Sequence, residues 1–403
     1  MKKAPSPLPG FLGGVLATQF VNSALHLAQP LLIAKISGSM AYAAFFASFD
    51  TAMHMFGTYC GGWPTDRFGA RRVLVASTFL RGVALTAVPL AMVFGQLTAL
   101  WAVGWYTLDA FVRGFVDASV NTIPMELAEH DAEELDRLNS RYELVFDIGG
   151  VAGPLSLYLI ETWFDGFWAH ALIPAGFALS ALAYSQIPAS AIGKKMRQER
   201  KNGGSWAGLK TIVADRKLLV ACLGLMSFNI YPLRKLLGAF FAKGILLDPK
   251  MAGLVGSAFG AGGVAGAVLY TACTRLRISS VNWILAGSGG MLLLAIGWWP
   301  ASLYVMVGAV FTFAVTNVGA RLSLTRVRQE FTPLELAGGV TAASRFGSNL
   351  VSVLLKALVG VAFTMGAGAT EAFALVGFAL ALIAFAQLLL ARYLSRVPDL
   401  SVA

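Results

Sequence analysis

Hydrophobic residues occur along this chain in long uninterrupted runs that are separated by short polar turns. Each run has about the twenty residues that an α-helix needs to cross the hydrocarbon core of a bilayer. The runs do not alternate apolar and polar positions, as the strands of a membrane β-barrel would. The pattern therefore predicts membrane-spanning helices at 10–35, 41–62, 73–95, 98–124, 142–163 and 168–188, and then at 217–243, 251–273, 281–298, 301–325, 338–362 and 370–391.

The only long polar segment, 189–216, lies at the midpoint of the chain. Glu134–Arg137 after the fourth predicted span has a weak counterpart in Glu335–Gly338 after the tenth, which favours two related halves. We therefore predict an all-α membrane protein whose twelve transmembrane helices form two pseudo-symmetric six-helix bundles. The bundles are residues 1–188 and 217–403, and the basic linker is 189–216.

Composition points to lipid as the solvent for much of this chain. Of its 403 residues, 57% are hydrophobic and 13% are charged, whereas soluble domains carry about 25% charged residues. The segment before the first run is too short and proline-rich for a cleavable signal peptide, so we expect that run to be a membrane helix. The three cysteines have neither the spacing of a metal site nor that of a disulfide framework.

The net charge of +10 could indicate nucleic-acid binding in a soluble protein, but in a membrane protein it fits the excess of Lys and Arg in cytoplasmic loops. One side of the predicted topology carries nearly all of this charge, while the other offers little beyond Lys35, Lys243 and Lys250. Both termini and the linker are therefore predicted to be cytoplasmic. The cytoplasmic set is Lys2, Lys3, Arg67, Arg71, Arg72, Arg137, Arg141, Lys194, Lys195, Arg197, Arg200, Lys201, Arg275, Arg277, Arg326, Arg328, Arg392 and Arg396.

The loop between the second and third predicted spans reads Gly-Trp-Pro-Thr-Asp-Arg-Phe-Gly-Ala-Arg-Arg. It resembles the signature loop of the major facilitator superfamily, Gly-x-x-x-Asp-Arg-x-Gly followed by basic residues. A glycine at position 62 would allow close helix approach, and a second glycine seven residues later would permit a tight turn. In that family the loop latches two halves that rock to give alternating access. The resemblance implies a gating role for Gly62, Asp66, Arg67, Gly69, Arg71 and Arg72.

A second motif, Gly149-x-x-x-Gly153-Pro154 in the fifth span, resembles the antiporter motif of proton-coupled exporters. Glycines four apart also allow simple close packing of helices, and that interpretation stays open. The stretches Asn121–Pro124 and Arg328–Val340 resemble the exporter branch that includes enterobactin-type siderophore and macrolide-type drug exporters. Gly149, Gly153 and Pro154 are accordingly added to the predicted gating residues, and the resemblance favours export.

Ionisable side chains inside the predicted spans are the best candidates for function, because an unpaired charge in the membrane is costly. Three of them are four residues apart on the fourth span and so share one helix face. A buried carboxylate beside a cation can exchange a proton when its hydration changes. We predict proton coupling there, with a static charge network as the alternative. The predicted coupling residues are Asp109, Arg113, Asp117, Glu143 and Asp147.

The second half carries only cations within its predicted spans, which favours an anionic substrate unless carboxylates of the first half neutralise them. In the superfamily, spans one, four, seven and ten line the cavity and two, five, eight and eleven flank it. Arg81 on the third span is an exception that either snorkels or pairs with Asp50. The predicted substrate-binding residues are Asn22, His26, Asp50, His54, Asn229, Tyr231, Arg234, Lys235, Asn317, Arg321, Arg345 and Lys356.

His26, Asp50 and His54 could instead form a metal site, since imidazole and carboxylate suit transition metals. The alternative is a hydrogen-bonded His–Asp pair without metal, and we assign no metal ligands. No constellation of an enzyme or phosphate-binding site is visible, and no cofactor is expected.

We therefore expect a monomeric secondary transporter in a bacterial inner membrane, with protons and a small molecule as its partners in the lipid bilayer and no nucleic acid. It would export an anionic organic compound such as a siderophore, organic acid or drug. Proton-coupled uptake, transition-metal efflux and a membrane receptor are the alternatives.

Overall fold

Helices are the regular structure throughout the part of the chain that the computed structural model describes, which is residues 8–127, 132–164, 166–188, 205–228, 238–275, 279–299, 301–332 and 337–395. Eight of the described helical stretches are long and apolar enough to cross a membrane. Together with the sequence pattern, this confirms an all-α membrane fold.

The helices of the first half are α1 (Leu8–Ser37), α2 (Met40–Phe68), α3 (Ala70–Leu85), α4 (Ala87–Val93), α5 (Ala99–Val120), α6 (Ile123–Leu127), α7 (Ala132–Trp163), α8 (Gly166–Ala171) and α9 (Ile173–Ser185). Two predicted spans are divided here, at Thr86 and at Leu172. A proline stands three residues after the first break, at Pro89, and two residues after the second, at Pro174. Its ring removes a backbone donor and clashes with the carbonyl four residues earlier, so each run is built as two helices.

The helices of the second half are α10 (Ser205–Ala214), α11 (Arg216–Phe228), α12 (Met251–Arg275), α13 (Ser280–Ile296), α14 (Leu303–Phe331), α15 (Ala337–Thr364) and α16 (Ala369–Leu394). A π-helical turn, Phe241–Ile245, precedes α12. Residues 205–214, which we predicted to belong to the linker, form α10. The helix after it begins where the Asp215 carboxylate accepts hydrogen bonds from the backbone N–H groups of Lys217 and Leu218, at 2.8 and 3.1 Å.

The chain forms two compact units, one of residues 1–29 and 52–201 and one of residues 30–51 and 202–403. The segment 30–51 holds the end of α1 and the start of α2. This segment contacts α15 of the same unit through the Ser48 hydroxyl, which donates to the carbonyl of Val353 at 2.9 Å. The predicted boundaries of the two bundles and the linker stay a prediction.

Close backbone contacts tie α2 to α5 in the first unit. A Cβ added at Gly57 or at Gly114 would overlap backbone atoms of the other helix, and Gly61 lies against Phe115 in the same way. Beyond these glycines, the hydroxyls of Thr65 and Ser119 are hydrogen-bonded at 3.0 Å. Small residues that let backbones touch are the usual means of packing helices in lipid, so this interface sets the distance between side chains on α2 and α5.

The second unit uses the same device between α12 and α14. Gly262 lies against Phe311, and Gly266 lies against Val315, each with backbone atoms in the space that a Cβ would take. At the other side of α14, the Asn317 amide donates to the carbonyl of Phe228 on α11 at 2.8 Å. The helix α14 is thereby held from two sides.

Candidate functional site

The three charged residues on one face of α5 contact three different helices of the first unit. Asp109 pairs with Arg81 of α3, Arg113 contacts His26 of α1, and Asp117 pairs with His54 of α2. The shared face that the spacing predicts is therefore present. It joins α5 to its neighbouring helices, a set of contacts that the spacing along α5 alone did not predict.

The Arg81–Asp109 pair is completely enclosed, since neither side chain has any exposed area. The guanidinium donates through Nε to Oδ1 at 2.7 Å and through Nη2 to Oδ2 at 3.1 Å. Nη2 also donates to the amide oxygen of Asn22 at 2.7 Å, and the guanidinium carbon lies 4.1 Å from the centre of the Phe177 ring. Such a two-point contact with a carboxylate is the strongest that arginine makes. It ties α1, α3 and α5 together with α9.

Sequence reasoning had left Arg81 with two options, snorkelling or pairing with Asp50, and the pairing with Asp109 was not foreseen. The signal was available, because an arginine in the middle of a span requires a carboxylate or water at the same depth. What the sequence did not provide was the relative rotation of α3 and α5. A second buried pair was also missed: the Tyr106 hydroxyl lies 3.0 Å from Nδ1 of His170, and both residues are buried.

Arg113 and His26 form the second contact on the α5 face. Nη1 of Arg113 lies 3.2 Å from Nδ1 and 3.4 Å from Nε2 of His26, and both residues are buried. A guanidinium has donors and no acceptor. The His26 ring nitrogen that faces the guanidinium must therefore accept the hydrogen bond. In a neutral ring, the proton then lies on the other nitrogen, which defines the tautomer.

His54 and Asp117 form the third contact, with Nε2 at 2.9 Å from Oδ2. Unlike the Arg81–Asp109 pair, these side chains keep 17% and 38% of their area exposed. A carboxylate exposed to hydrocarbon is costly, and Asp117 has the most exposed side chain of the two ion pairs on α5. The remaining predicted coupling residues both lie on α7, where Asp147 is buried and Glu143 is half-buried.

The predicted substrate-binding residues do not all face open space. Asn22 is buried as the partner of Arg81, and Asn317 is buried as a donor to α11. Asp50 is also buried, while Arg321 and Arg345 are half-buried. The predicted residues Asn229, Tyr231, Arg234 and Lys235 lie outside the described residues.

Lys356 is almost fully enclosed in the second unit, with 1% of its area exposed. Its ammonium donates to the Thr51 hydroxyl at 2.5 Å and to the carbonyl of Ala47 at 3.4 Å. Both acceptors belong to the start of α2, in the segment 30–51. Lys356 therefore joins α15 to that segment in addition to any role with a substrate.

The signature loop agrees with the prediction from its sequence at Gly69 and differs from it at Gly62. Helix α2 continues through the motif to Phe68, and the turn falls at Gly69, whose φ of 98° lies in the region that favours glycine. At Gly62 an added Cβ would have no heavy atom within 4 Å, so the expected close approach at this residue is wrong for the described part of the chain. The side chain of Asp66 lies outside the description.

The three arginines of the loop have separate environments. The Arg67 guanidinium lies 5.0 Å from the Trp63 ring centre, and Arg72 is exposed. Arg71 donates to the carbonyl of Ser185 at 2.5 Å and so closes the end of α9.

In the second motif, Gly149 and Gly153 both face α1. A Cβ at either position would meet the backbone of Phe20 and its neighbours, so the glycines permit direct contact between α7 and α1. Pro154 lies inside α7, which continues past it to Trp163. The close packing that the motif predicts is therefore present at both glycines.

A metal site of His26, Asp50 and His54 finds no support in the geometry. Among the described residues, no group of three or more His, Cys, Asp and Glu side chains could hold a metal ion. The two histidines instead contact Arg113 and Asp117.

Comparison with known proteins defines the class. The sequence profile described as Major Facilitator Superfamily matches residues 10–355, so the chain belongs to this superfamily. It is a multi-pass membrane transporter and not an enzyme, and its class handles small molecules.

Particular relatives refine the comparison. The chain is 28% identical over 281 residues to the multidrug efflux pump Tap of Mycolicibacterium fortuitum, which covers 67% of this chain and 68% of the pump. Its fold is similar to that of the nucleoside transporter NupG, with a TM-score of 0.70, 13% identity, and coverage of 95% and 99% of the two chains. A peptide transporter, POT, gives a TM-score of 0.71 with 11% identity and coverage of 95% and 94%.

Proposed function

We propose that this chain is a secondary transporter that uses proton movement to export a small anionic organic compound. The observation that carries the proposal is the row of three ionisable contacts that α5 makes inside the first unit. Charged groups are costly within a membrane and are retained there chiefly for transport or ion movement. A row that joins α5 to three other helices places ionisable groups where the binding of a proton can be linked to contacts between helices.

Export is supported by two independent features. The multidrug efflux pump Tap is similar to this chain over about two thirds of both proteins. The glycines of the motif that resembles the antiporter motif of exporters, Gly149 and Gly153, lie directly against α1. The resemblance to enterobactin-type and macrolide-type exporters extends this argument to siderophores and drugs as substrate classes.

The charge of helices α12 to α15 supports an anionic substrate, while the second unit also holds the buried carboxylate of Asp50 in its segment 30–51. The described helices α12, α13, α14 up to Arg328 and α15 contain no Asp or Glu, while they carry Arg321, Arg345 and Lys356. A cation-rich half favours a carboxylate or another anion within its reach. The excess of cations in the predicted cytoplasmic loops further supports an inner-membrane protein with both termini in the cytoplasm, and we expect a monomer.

The test is transport by the purified full chain in oriented proteoliposomes. A panel of organic acids, siderophores and dyes, including carboxyfluorescein as an anion and ethidium as a cation, is offered under an imposed pH gradient. We expect gradient-driven movement of anions in the direction of export, and its loss when a protonophore collapses the gradient. Movement in the opposite direction would establish uptake, and flux that ignores the gradient would refute proton coupling.

Substrate charge is tested on α14 with a matched pair of variants. Arg321→Gln removes a half-buried cation, and Arg326→Gln removes an exposed one near the end of the same helix. We expect the first variant to lower the preference for carboxyfluorescein over ethidium about tenfold, and the second to leave it unchanged. An unchanged preference in both variants would contradict the assignment of Arg321 to the anion. Binding of the panel without any counterflow would favour a receptor.

A further inference from the structure

We propose that the driving proton is bound at the contact between His54 and Asp117. This inference rests on the proton-coupled transport proposed above and names the site at which that proton is held. The two side chains come from α2 and α5, with Nε2 2.9 Å from Oδ2.

The other two contacts on α5 are poorly suited to exchange a proton. Protonating Asp109 would break two hydrogen bonds from Arg81 and leave a guanidinium enclosed without its counter-ion. Protonating the His26 nitrogen that faces Arg113 would remove the acceptor and set two cations 3.2 Å apart. In both places a proton destroys the contact that holds the helices together.

The His54–Asp117 contact survives in both protonation states. With one proton on the ring, Nε2–H donates to Oδ2, and Nδ1 carries no proton. When a further proton binds Nδ1, the same N–H donates from an imidazolium to a carboxylate, which strengthens the bond. A proton can therefore be taken up and released without separating α2 from α5.

Water can reach this pair but not the Arg81–Asp109 pair. The side chains of His54 and Asp117 are 17% and 38% exposed, against 0% for both members of the other pair. Exchange of a proton with the aqueous phase requires such access, and a histidine is the side chain whose charge changes most readily near neutral pH.

The framework around the pair holds it in place. The backbone contacts of Gly57 with Phe111 and of Gly114 with Thr58 fix α2 against α5. The other charged and titratable groups of the α5 contacts are Arg113 and Asp109 on α5, His26 on α1 and Arg81 on α3. Tyr184 on α9 is within electrostatic reach of Asp117, and Asp147 is buried on α7.

The first experiment measures protonation without any substrate. The chain has four histidines, His26, His54, His130 and His170, so ring-labelled histidine gives few NMR signals, which single replacements assign. In the full chain in lipid nanodiscs, we expect the His54 ring to take up a proton reversibly between about pH 5 and 9. We expect its midpoint to move in Asp117→Asn and to stay in place in His170→Gln. A His54 ring that does not titrate, or that titrates identically in Asp117→Asn, would overturn the proposal.

The second experiment measures coupling with carboxyfluorescein and ethidium as probes. His54→Gln and Asp117→Asn are each expected to lose pH-driven accumulation at least tenfold while downhill equilibration of the probe persists, which shows that the variants are folded. The control His170→Gln removes a buried histidine of the same unit and should accumulate probe like the wild type. Wild-type accumulation in either test variant would refute the site. If the wild type accumulates neither probe while His54 titrates in dependence on Asp117, the proposed transport of these probes fails and the proton site stands.

Discussion

The Arg81–Asp109 pair provides the sharpest prediction for stability. Asp109→Asn keeps the shape of the side chain and removes its charge, so the guanidinium is left enclosed without a counter-ion. Two charged hydrogen bonds, at 2.7 and 3.1 Å, are weakened or lost, and each contributes about 1.5–3 kcal/mol. Breaking a buried pair from one side costs about 3–5 kcal/mol. We therefore expect the free energy of unfolding to fall by about 3–5 kcal/mol, a factor of about a hundred to several thousand in the folding equilibrium.

Removing both partners should cost less than the sum of the two single changes. In Arg81→Met/Asp109→Leu, no charge remains buried, and replacing a buried ion pair by apolar residues is often close to neutral. The double variant still loses the hydrogen bond from Arg81 to Asn22 and the stacking of Arg81 on Phe177. We expect a coupling energy of at least about 2 kcal/mol between the two positions.

The assay is unfolding of the purified chain in mixed detergent micelles, followed by the fluorescence of its nine tryptophans. Asp117→Asn serves as the matched control on the same helix, because its carboxylate is 38% exposed. It should change the free energy of unfolding by less than about 1 kcal/mol. The reasoning is refuted if Asp109→Asn is as stable as this control, or if the double variant loses the sum of the single losses.

Two further predictions concern close packing and a buried ammonium. Gly114→Leu should prevent α2 from contacting α5 and sharply reduce the yield of folded protein. Gly104→Leu on the same helix should be tolerated, because no heavy atom lies within 4 Å of its added Cβ. Size-exclusion profiles compare the two variants, and equal profiles would contradict the packing argument. Thr51→Val removes an acceptor of Lys356 and should lower the free energy of unfolding by about 1–3 kcal/mol. Thr58→Val is the control, because the Thr58 hydroxyl donates to the carbonyl of His54 within its own helix. Equal stability of both variants would exclude a significant contribution from the Lys356 bond.

The length of the hydrophobic runs was sufficient to predict the helical membrane fold, because the length of an apolar run and the thickness of a bilayer are directly related. It was less informative about where helices break. The breaks near Pro89 and Pro174 have a local cause that the sequence contains, since a proline has no backbone N–H to donate to the carbonyl of the preceding turn. The helix α10 was missed because its segment adjoins a strongly basic stretch and its residues were grouped with that stretch.

The candidate residues were found more readily than their partners. Ionisable groups inside apolar runs are visible in any sequence, and Asp109, Arg113, Asp117, His26 and His54 were recognised in that way. Their partners depend on how helices are rotated about their axes, which one chain's sequence does not specify. The burial of Lys356 against the segment 30–51 is a case of the same kind, because it joins residues about three hundred positions apart.

Energetics explain why spacing along α5 was a poor guide to pairing. Charges four residues apart on one helix stabilise it by only about 0.2–0.5 kcal/mol, because the side chains stay flexible and hydrated. Between helices, a guanidinium can reach a carboxylate with two hydrogen bonds in a fully enclosed position, as Arg81 reaches Asp109, and each such bond contributes several times more. Where both arrangements are open to a carboxylate inside a bundle, the contact between helices therefore prevails, as it does for Asp109. Only a carboxylate at which water persists, such as Asp117, remains available for reversible chemistry.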